Sequence, residues 1–343
     1  MKNNKTFWVS IIIATWNSGN VLPQCLKSLT QQTYKDFEIV FVDNGSTDGS
    51  LDGIEFRWPG LVLRVVRLDR NQGFAAANNI GARLAQGQWL ALLNTDAFPE
   101  SDWLEKLLGA TEEHPEYSCF SSRQIQANSP KLLDGAGDAY HVSGLAWKRY
   151  LGYPTYLYGR EQTEVFSSCG AAALYPRQAF LDANGFDEDF FSYLEDVDLG
   201  FRLRLQGHRC LYVPQAIVHH VGSATLGVAS DFALYHYHRN LIWSFIQNMP
   251  SGLLWKYLFA HIIANIIYLA NYTLRGRGKA LWKAKIDAIR GLSKALQKRR
   301  NIQTRRKVAD GELLRVMEHG WLQPYLLGYR LRRVLAAASK TSS

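Results

Sequence analysis

Acidic side chains gather in three short segments of this 343-residue chain, and their types allow two kinds of chemistry. Asp43 opens the run Asp43-Asn44-Gly45-Ser46-Thr47-Asp48-Gly49-Ser50, and Asp96 closes Asn94-Thr95-Asp96. Glu195, Asp196 and Asp198 crowd the third, ahead of the pair His219-His220. Carboxylate oxygens with an imidazole beside them suit a divalent cation such as manganese or magnesium. A positioned carboxylate can also take the proton of a hydroxyl, a poor nucleophile near neutral pH. Crowded carboxylates raise one another's pKa, which favours a base, although acids also collect in first helical turns to suit the helix dipole. Neighbours on a strand point to opposite faces, so at most one of His219 and His220 meets a shared site.

The elements that must position these residues alternate along the first hundred positions. Val9–Ala14, Phe37–Val42, Leu63–Leu68 and Trp89–Leu93 are β-branched or aliphatic runs of strand length. Helical patterns lie between them at Val21–Gln32, around Asp48–Ile54 and at Phe74–Gln86, with another at Asp102–Glu113. Such alternation implies βαβ units and a parallel sheet, where ligands sit outside the carboxyl ends of the strands. Asp43, Asp69 and Asp96 stand just past three of those ends, and so converge on one crevice; Asx and Gly residues are also ordinary turn formers there. Residues 115–223 are less regular, with aromatic and glycine-rich stretches such as Leu132–Tyr158, a helical stretch carrying Arg202 and Arg204, and a strand at Cys210–Val213 before Pro214.

Charge divides the chain in two. The net charge is +9, yet Arg275–Lys307 alone carries +12, with Asp287 its single acid, so the remainder is −3. Leu253–Leu274 is long and apolar enough to raise the question of a membrane span, but it contains Lys256, His261, Asn265 and Asn271. On a helical wheel these fall on one half while Trp255, Leu258, Ile262, Ile266 and Leu269 line the other, as in an interfacial helix. A similar pattern follows with Trp282, Ile286, Ile289, Leu292 and Leu296. Alternatives for this segment are a helical subdomain packed on the core, a homodimer interface, or a nucleic-acid surface. Four scattered cysteines without a CxxC pair read as reduced, buried thiols, neither disulfides nor a zinc site. Met1–Thr6 is polar and leads straight into a strand pattern, which is not how a secretory signal peptide begins.

In order, IIIATWN (Ile11–Asn17), VDNGSTDGS (Val42–Ser50), NQGFAAANNIG (Asn71–Gly81), LLNTDAFPE (Leu92–Glu100), GFDEDFFSYLEDVDLGFR (Gly185–Arg202) and VHHVGS (Val218–Ser223) resemble the family 2 glycosyltransferases, and within them the rhamnosyltransferase-type branch of bacterial surface polysaccharide synthesis. The resemblance covers residues 9 to about 225. It implies an α/β GT-A fold, Rossmann-like, with a mostly parallel sheet and helices on both faces. Residues 1–225 would form the catalytic domain (1–100 its nucleotide-binding half, 101–225 its acceptor half), and 226–343 a helical, membrane-associating appendage.

The resemblance also implies roles. Asp43 would hold the donor nucleoside, Asp96 and His220 would bind the divalent cation (Mn2+ or Mg2+), and Asp196, beside Glu195, would be the catalytic base. Thr15, Asn17, Asn44, Asn71, Gly73, Asn79, Asn94 and Thr95 fall in the donor-binding motifs. Arg202 is a candidate for the diphosphate, although helix arginines also pair with acids. Asn94 departs from the family's acidic first position, which puts the need for a metal in question. Gly170-Ala171 resembles a small-residue stretch that lets sugar and acceptor approach the backbone, or simply packs a strand closely.

The expected activity is inverting transfer of L-rhamnose from dTDP-L-rhamnose to a polyprenyl-diphosphate-linked sugar. It would occur at the cytoplasmic face of the membrane, the appendage meeting anionic lipid and no nucleic acid. A UDP-hexose or UDP-galactofuranose donor is the alternative within the class, and a non-catalytic membrane-bound lipid-glycan binder the alternative outside it. A sugar-1-phosphate nucleotidyltransferase would carry a Gly-rich basic signature absent at Ile11–Asn20, and a dinucleotide-binding dehydrogenase a GxGxxG after its first strand.

Overall fold

The computed structural model describes residues 8–58, 60–222, 230–320, 322–326, 331 and 333–335. The first half runs β1 (Val9–Thr15), α1 (Leu22–Thr30), β2 (Phe37–Asp43), α2 (Ile54–Arg57), β3 (Leu63–Arg67), α3 (Phe74–Leu84), β4 (Trp89–Leu93), β5 (Ala97–Pro99) and α4 (Trp103–Glu113). β3, β2, β1 and β4 lie side by side and parallel, with Thr15 opposite Asp43. β1 and β2 are continuous aliphatic runs because both sheet faces are covered. One face packs Ile11, Ile13 and Phe41 against Trp103, Leu104 and Leu107 of α4. The other packs Ile12, Val40 and Leu92 under the alanines of α3. At Gly81 a Cβ would come 2.5 Å from Ile12, so the close approach of α3 to the sheet needs glycine there. The helix expected around Asp48–Ile54 is instead a turn followed by the four-residue α2, since the Asp48 carboxylate caps Ser50 and Gly19 before a helix can start.

The second half adds β6 (Cys119–Gln126), β7 (Leu133–Gly135), β8 (Asp138–Tyr140), β9 (Ala146–Lys148), β10 (Thr163–Val165), β11 (Ala172–Pro176), α5 (Arg177–Asp182), a 3-10 turn at Glu188–Phe190, α6 (Glu195–Leu205) and β12 (Cys210–His220). β11 runs antiparallel between β4 and β6, and β12 runs parallel to β6 with β10 at its edge. The strand expected to stop before Pro214 continues to His220. Its pairing with β6 shifts between Val213 and Ile217, and that irregularity is where a strand tolerates proline. The sheet is therefore mixed, parallel in its nucleotide-side half, with helices on both faces. β8 and β9 form a separate hairpin.

Five helices follow: α7 (Asp231–Asn248), α8 (Ser251–Leu274), α9 (Gly278–Arg290), α10 (Leu292–Thr304) and α11 (Asp310–Val316). They share a third core with the hairpin and α6, built from Tyr140, Phe166, Phe201, Phe245, Met249 and Leu253. Much of the basic cluster is spent inside this packing. Lys294 and Lys298 bind Asp189, Lys298 also binds Asp187, and Arg299 donates to the carbonyls of Ile246 and Met249. Arg277, Arg290 and Arg306 pair with Asp231, Asp287 and Asp310. Arg275, Lys279 and Arg300 remain exposed.

Of the expected polar half of α8, His261 is turned inward, stacking on Phe245 at 4.0 Å and meeting the Ser143 carbonyl at 2.8 Å, while Lys256 is exposed. Trp255, Phe259, Ile262 and Ile266 form a stripe on the outside, Trp255 and Phe259 being 72% and 71% exposed.

The appendage also grips the segment leading into α6. Phe191, Tyr193 and Leu194 all have φ between 63° and 69°, a region that costs non-glycine residues about 1–3 kcal/mol each. Asn240 of α7 offsets this by sharing its Nδ2 among the carbonyls of Phe190 (3.0 Å), Ser192 (3.0 Å) and Tyr193 (2.7 Å), and Arg239 holds the carbonyls of Asp189 and Phe190. Asn240→Ala removes a donor from all three carbonyls, that of Phe190 keeping Arg239, and is expected to cost about 1–3 kcal/mol in denaturant unfolding. A cost below about 0.5 kcal/mol would mean that the segment keeps its shape without α7.

Candidate active site

A cavity of about 340 Å³ opens where the carboxyl ends of the parallel strands meet α6, and its walls include Asn94, Gly170, Glu195, Asp196 and His220. Asp196 reaches it because the left-handed turn at Leu194 starts α6 with both acids in its first turn. Its Oδ2 accepts the Gly170 N–H at 2.8 Å and its Oδ1 the Val197 N–H at 2.8 Å. Ala171, next along, accepts the Asn94 N–H at 3.0 Å. The base-candidate helix and the strand end bearing Asn94-Thr95-Asp96 are thus joined through two backbone bonds.

Electrostatics separate the carboxyls. Burial pushes Asp196 above the usual carboxylate range, and the Gly170 and Val197 N–H groups pull it partly back. Glu195 stands well above its ordinary value through burial first and the Asp196 charge second, and its Oε2 is buried without a hydrogen-bond partner. Asp138 of β8 is raised by the same two causes. Proximity to a second charge disfavours ionisation, so the one carboxyl with two aligned N–H donors is the one that ionises first. Asp198 is bound to Arg202 (2.8 Å) and Asn248 (2.7 Å), and its charge adds to the rise at Glu195. Burial, not the neighbouring acids, leads the rise at Asp196.

His220 is buried at the end of β12, while His219 points outward to Glu100 at 3.2 Å. His220 Nε2 lies 3.2 Å from Asp96 Oδ1 yet without hydrogen-bond geometry, a buried nitrogen with no partner among the described residues. Its Nδ1 contacts Asp134 Oδ2 at 2.8 Å, and Lys148 Nζ reaches the same oxygen at 2.6 Å. Burial acts to lower the His220 pKa, but contacts with Asp134 and Asp96 outweigh it and the net shift is upward. Burial likewise acts to raise Asp134, and Lys148 with His220 holds it well below the usual carboxylate range. No cluster of three or more His, Cys, Asp or Glu groups suited to a metal occurs among the described residues. The orphaned His220 nitrogen facing the Asp96 carboxylate nevertheless fits a divalent cation that completes its shell with phosphate oxygens and water.

The other expected donor contacts divide into two sets. Thr15 Oγ1, at the end of β1, is buried with no partner among the described residues, and Asp43 beside it uses Oδ1 to take the Ser46 N–H at 2.9 Å. Asn17 (φ 51°) accepts from Thr47 N–H, and Thr95 donates to Ser18 at 3.1 Å, so these line the rim of the strand ends. Asn44 instead clasps two loops, its Nδ2 donating to Asn71 Oδ1 and the Gly73 carbonyl and its Oδ1 accepting the Gln72 N–H; Asn71 is held by the same clasp. Gly73 (φ 94°) abuts Phe191, where a Cβ would come within 2.6 Å of the ring.

Two expectations fail. Asn79 spends its whole amide on Phe186 and Glu188, pinning α3 to the segment before α6. Arg202 is buried and commits its guanidinium to Asp198 and the carbonyls of Ala183 and Gly185. Neither lines the cavity, because the amide and the guanidinium are held by backbone groups of residues 183–186.

Sequence reading missed Asp134, Asp138, Lys148 and Tyr237, which also line the cavity. Asp134, Asp138 and Lys148 lie on strands three residues long, too short for a periodicity, and only the paired acids of Leu133-Asp134-Gly135-Ala136-Gly137-Asp138 mark the place; Tyr237 comes from α7.

The model for glycosyl transferase family 2 matches residues 10–182. Over 255 residues the chain is 29% identical to an N-acetylglucosaminyl-diphospho-decaprenol L-rhamnosyltransferase of Mycobacterium tuberculosis, covering 66% of this chain and 80% of that protein. Among solved structures, the mannosyltransferase PcManGT from Pyrobaculum calidifontis in complex with GDP-Man and Mn2+ superposes with a TM-score of 0.52 at 18% identity, over 87% of this chain and 84% of its own. S. aureus TarS 1-349 in complex with UDP gives 0.53 at 18% identity, over 88% and 94%. At such identities the structural likeness speaks for the fold.

An aspartate whose folded pKa lies below its unfolded value of about 3.9 contributes stability above that value and loses it as pH falls toward the folded pKa. The stability gap between wild type and Asp134→Asn is therefore expected to narrow below about pH 4 in denaturant unfolding at successive pH values. A gap that stays constant with pH would contradict the low Asp134 pKa.

Proposed function

This chain belongs to glycosyl transferase family 2 and is a glycosyltransferase of the GT-A fold, and on that premise we propose inverting transfer of L-rhamnose from dTDP-L-rhamnose to a polyprenyl-diphosphate-linked sugar. The observation that carries the reading is the single cavity that collects Asn94, Asp196 and His220 at the strand ends. The named activity of the mycobacterial relative supports both the sugar and the lipid-linked acceptor.

Asp196 is the base. Its carboxylate is oriented by the Gly170 and Val197 N–H groups, and its raised pKa brings it closer to the pH at which it must accept the acceptor hydroxyl's proton. Attack from the side opposite the leaving diphosphate inverts the anomeric centre in one displacement. Burial and the Asp196 charge raise Glu195 and Asp138, which disfavours further negative charge beside the base. Asp96 and His220 would hold a divalent cation, Mn2+ or Mg2+, which would supply neutralisation of the diphosphate charge. Thr15 and Asp43 stand at the ends of adjacent strands to meet the nucleoside and its phosphates.

We assign the outward stripe of α8 to a membrane surface, at the cytoplasmic face where the lipid-linked acceptor would reside. An exposed row of Trp255, Phe259, Ile262 and Ile266 leaves a contiguous apolar surface open to water. Burying each of the larger side chains in lipid contributes about 1.5–3 kcal/mol, and each exposed Arg275 or Lys279 near anionic headgroups about 1 kcal/mol.

Offered dTDP- and UDP-sugars, the enzyme is expected to release dTDP from dTDP-L-rhamnose in the presence of acceptor; release from UDP-sugars alone would replace the donor assignment. Asp196→Asn should lower transfer at least about a hundredfold with donor affinity nearly unchanged. The wild-type rate should fall at acid pH along a limb lying above the ordinary aspartate value of about 3.9, because the ionised form is needed. The triple variant Trp255→Ser, Phe259→Ser, Ile266→Ser should co-sediment with anionic vesicles at least about tenfold less than wild type. Undiminished sedimentation would remove α8 as the lipid contact.

A further inference from the structure

His220 is held from behind by groups on two other strands. Asp134 of β7 and His220 of β12 flank β6 on its two edges, Gly135 pairing with Gln124 and His220 with Gln126. Asp134 Oδ2 lies 2.8 Å from His220 Nδ1 and 2.6 Å from Lys148 Nζ of β9. Lys148 also approaches Gln124 Oε1 at 3.5 Å. An ionised carboxylate only accepts hydrogen bonds, so His220 must carry its proton on Nδ1 to meet Asp134. That leaves Nε2, 3.2 Å from Asp96 Oδ1 and without a hydrogen-bond partner among the described residues, as the nitrogen whose lone pair a cation would meet. The ring can neither flip nor tilt without breaking the Asp134 contact.

We propose that Asp134 and Lys148 are positioning residues for cation binding: Asp134 fixes the tautomer and plane of His220, and Lys148 holds Asp134 in place and balances its charge. The inference rests on the assignment of Asp96 and His220 to the cation. The Lys148 ammonium serves a second purpose by geometry, since it keeps the buried Asp134 charge compensated without calling on His220. Outer carboxylates of this kind orient a ligating imidazole and raise its basicity. Neither Asp134 nor Lys148 needs to touch the sugar or the diphosphate for this role.

The test is a titration of Mn2+ into the full-length protein with saturating dTDP, reading free Mn2+ by electron paramagnetic resonance, beside dTDP affinity measured in chelator. Asp134→Asn and Lys148→Met should each weaken Mn2+ binding by about ten- to a hundredfold, with dTDP affinity in chelator unchanged. Lys148→Arg should restore most of the loss, which also keeps the test decisive should Asp134→Asn lose its fold. Wild-type Mn2+ affinity in Asp134→Asn and Lys148→Met, alongside a loss in Asp96→Ala, would overturn the positioning role and leave the cation site standing. Unchanged affinity in Asp96→Ala as well would overturn the cation site itself.

Discussion

The hydrogen bond from Gly170 N–H to Asp196 Oδ2 joins two parts of the sheet that the chain builds separately. On one side is the parallel half, whose strand ends present Thr15, Asp43 and Asp96. On the other is α6, which arrives more than twenty residues after β11 begins. The bond can form only if residues 190–194 turn sharply enough to aim the first turn of α6 into the cavity. Three left-handed residues make that turn, and the energy to hold them comes from Asn240 and Arg239 on α7, with Lys294 and Lys298 on α10 anchoring Asp187 and Asp189. The catalytic geometry is thus set by helices outside the parallel sheet.

Charge within the cavity is set by partners. Asp138, Glu195 and Asp196 are all buried, and burial raises each of them. The Gly170 and Val197 N–H groups pull Asp196 partly back, while the Asp196 charge raises Glu195 and Asp138 further. A few ångströms away the logic reverses. Asp134 keeps its charge because Lys148 and His220 face it, and the pairing makes the imidazole a directed donor set with Asp96. Neighbouring acids are therefore shifted in opposite directions through different partners, not different residue types.

The C-terminal helices serve two surfaces at once. Their inner face completes a core with Tyr140, Phe166 and Phe201 and spends much of the basic cluster on aspartates and carbonyls of the catalytic body. Their outer face leaves aromatic and aliphatic side chains in the open along α8, with further exposed residues such as Trp282 and Ile289 on α9. His261 joins the two roles physically: it lies on the inward face of α8, stacks on Phe245 and binds the carbonyl of Ser143 at the tip of the hairpin that carries Lys148. The helix that carries the exposed apolar stripe is consequently one bond from the hairpin whose strands line the cavity.

Local patterning alone determined much of the nucleotide-side half. Strands such as VSIIIAT and FEIVFV are uninterrupted aliphatic runs, and turn-forming acids follow them, so both the parallel order and the placement of Asp43 and Asp96 were legible. His220 over His219 followed from strand alternation and a spacing. Tertiary structure decided the rest. Arg202 and Asn79 resemble ligand-binding side chains in their motifs, yet each is consumed by buried carbonyls that only the folded chain brings near them. Lys294 and Lys298 read as free surface charge until α10 docks on Asp187 and Asp189. Asp134 and Lys148 sit on three-residue strands, whose partners lie across β6 and carry no periodic trace. Periodicity records what an element buries, while a hydrogen bond between distant segments leaves no mark on the residues between them.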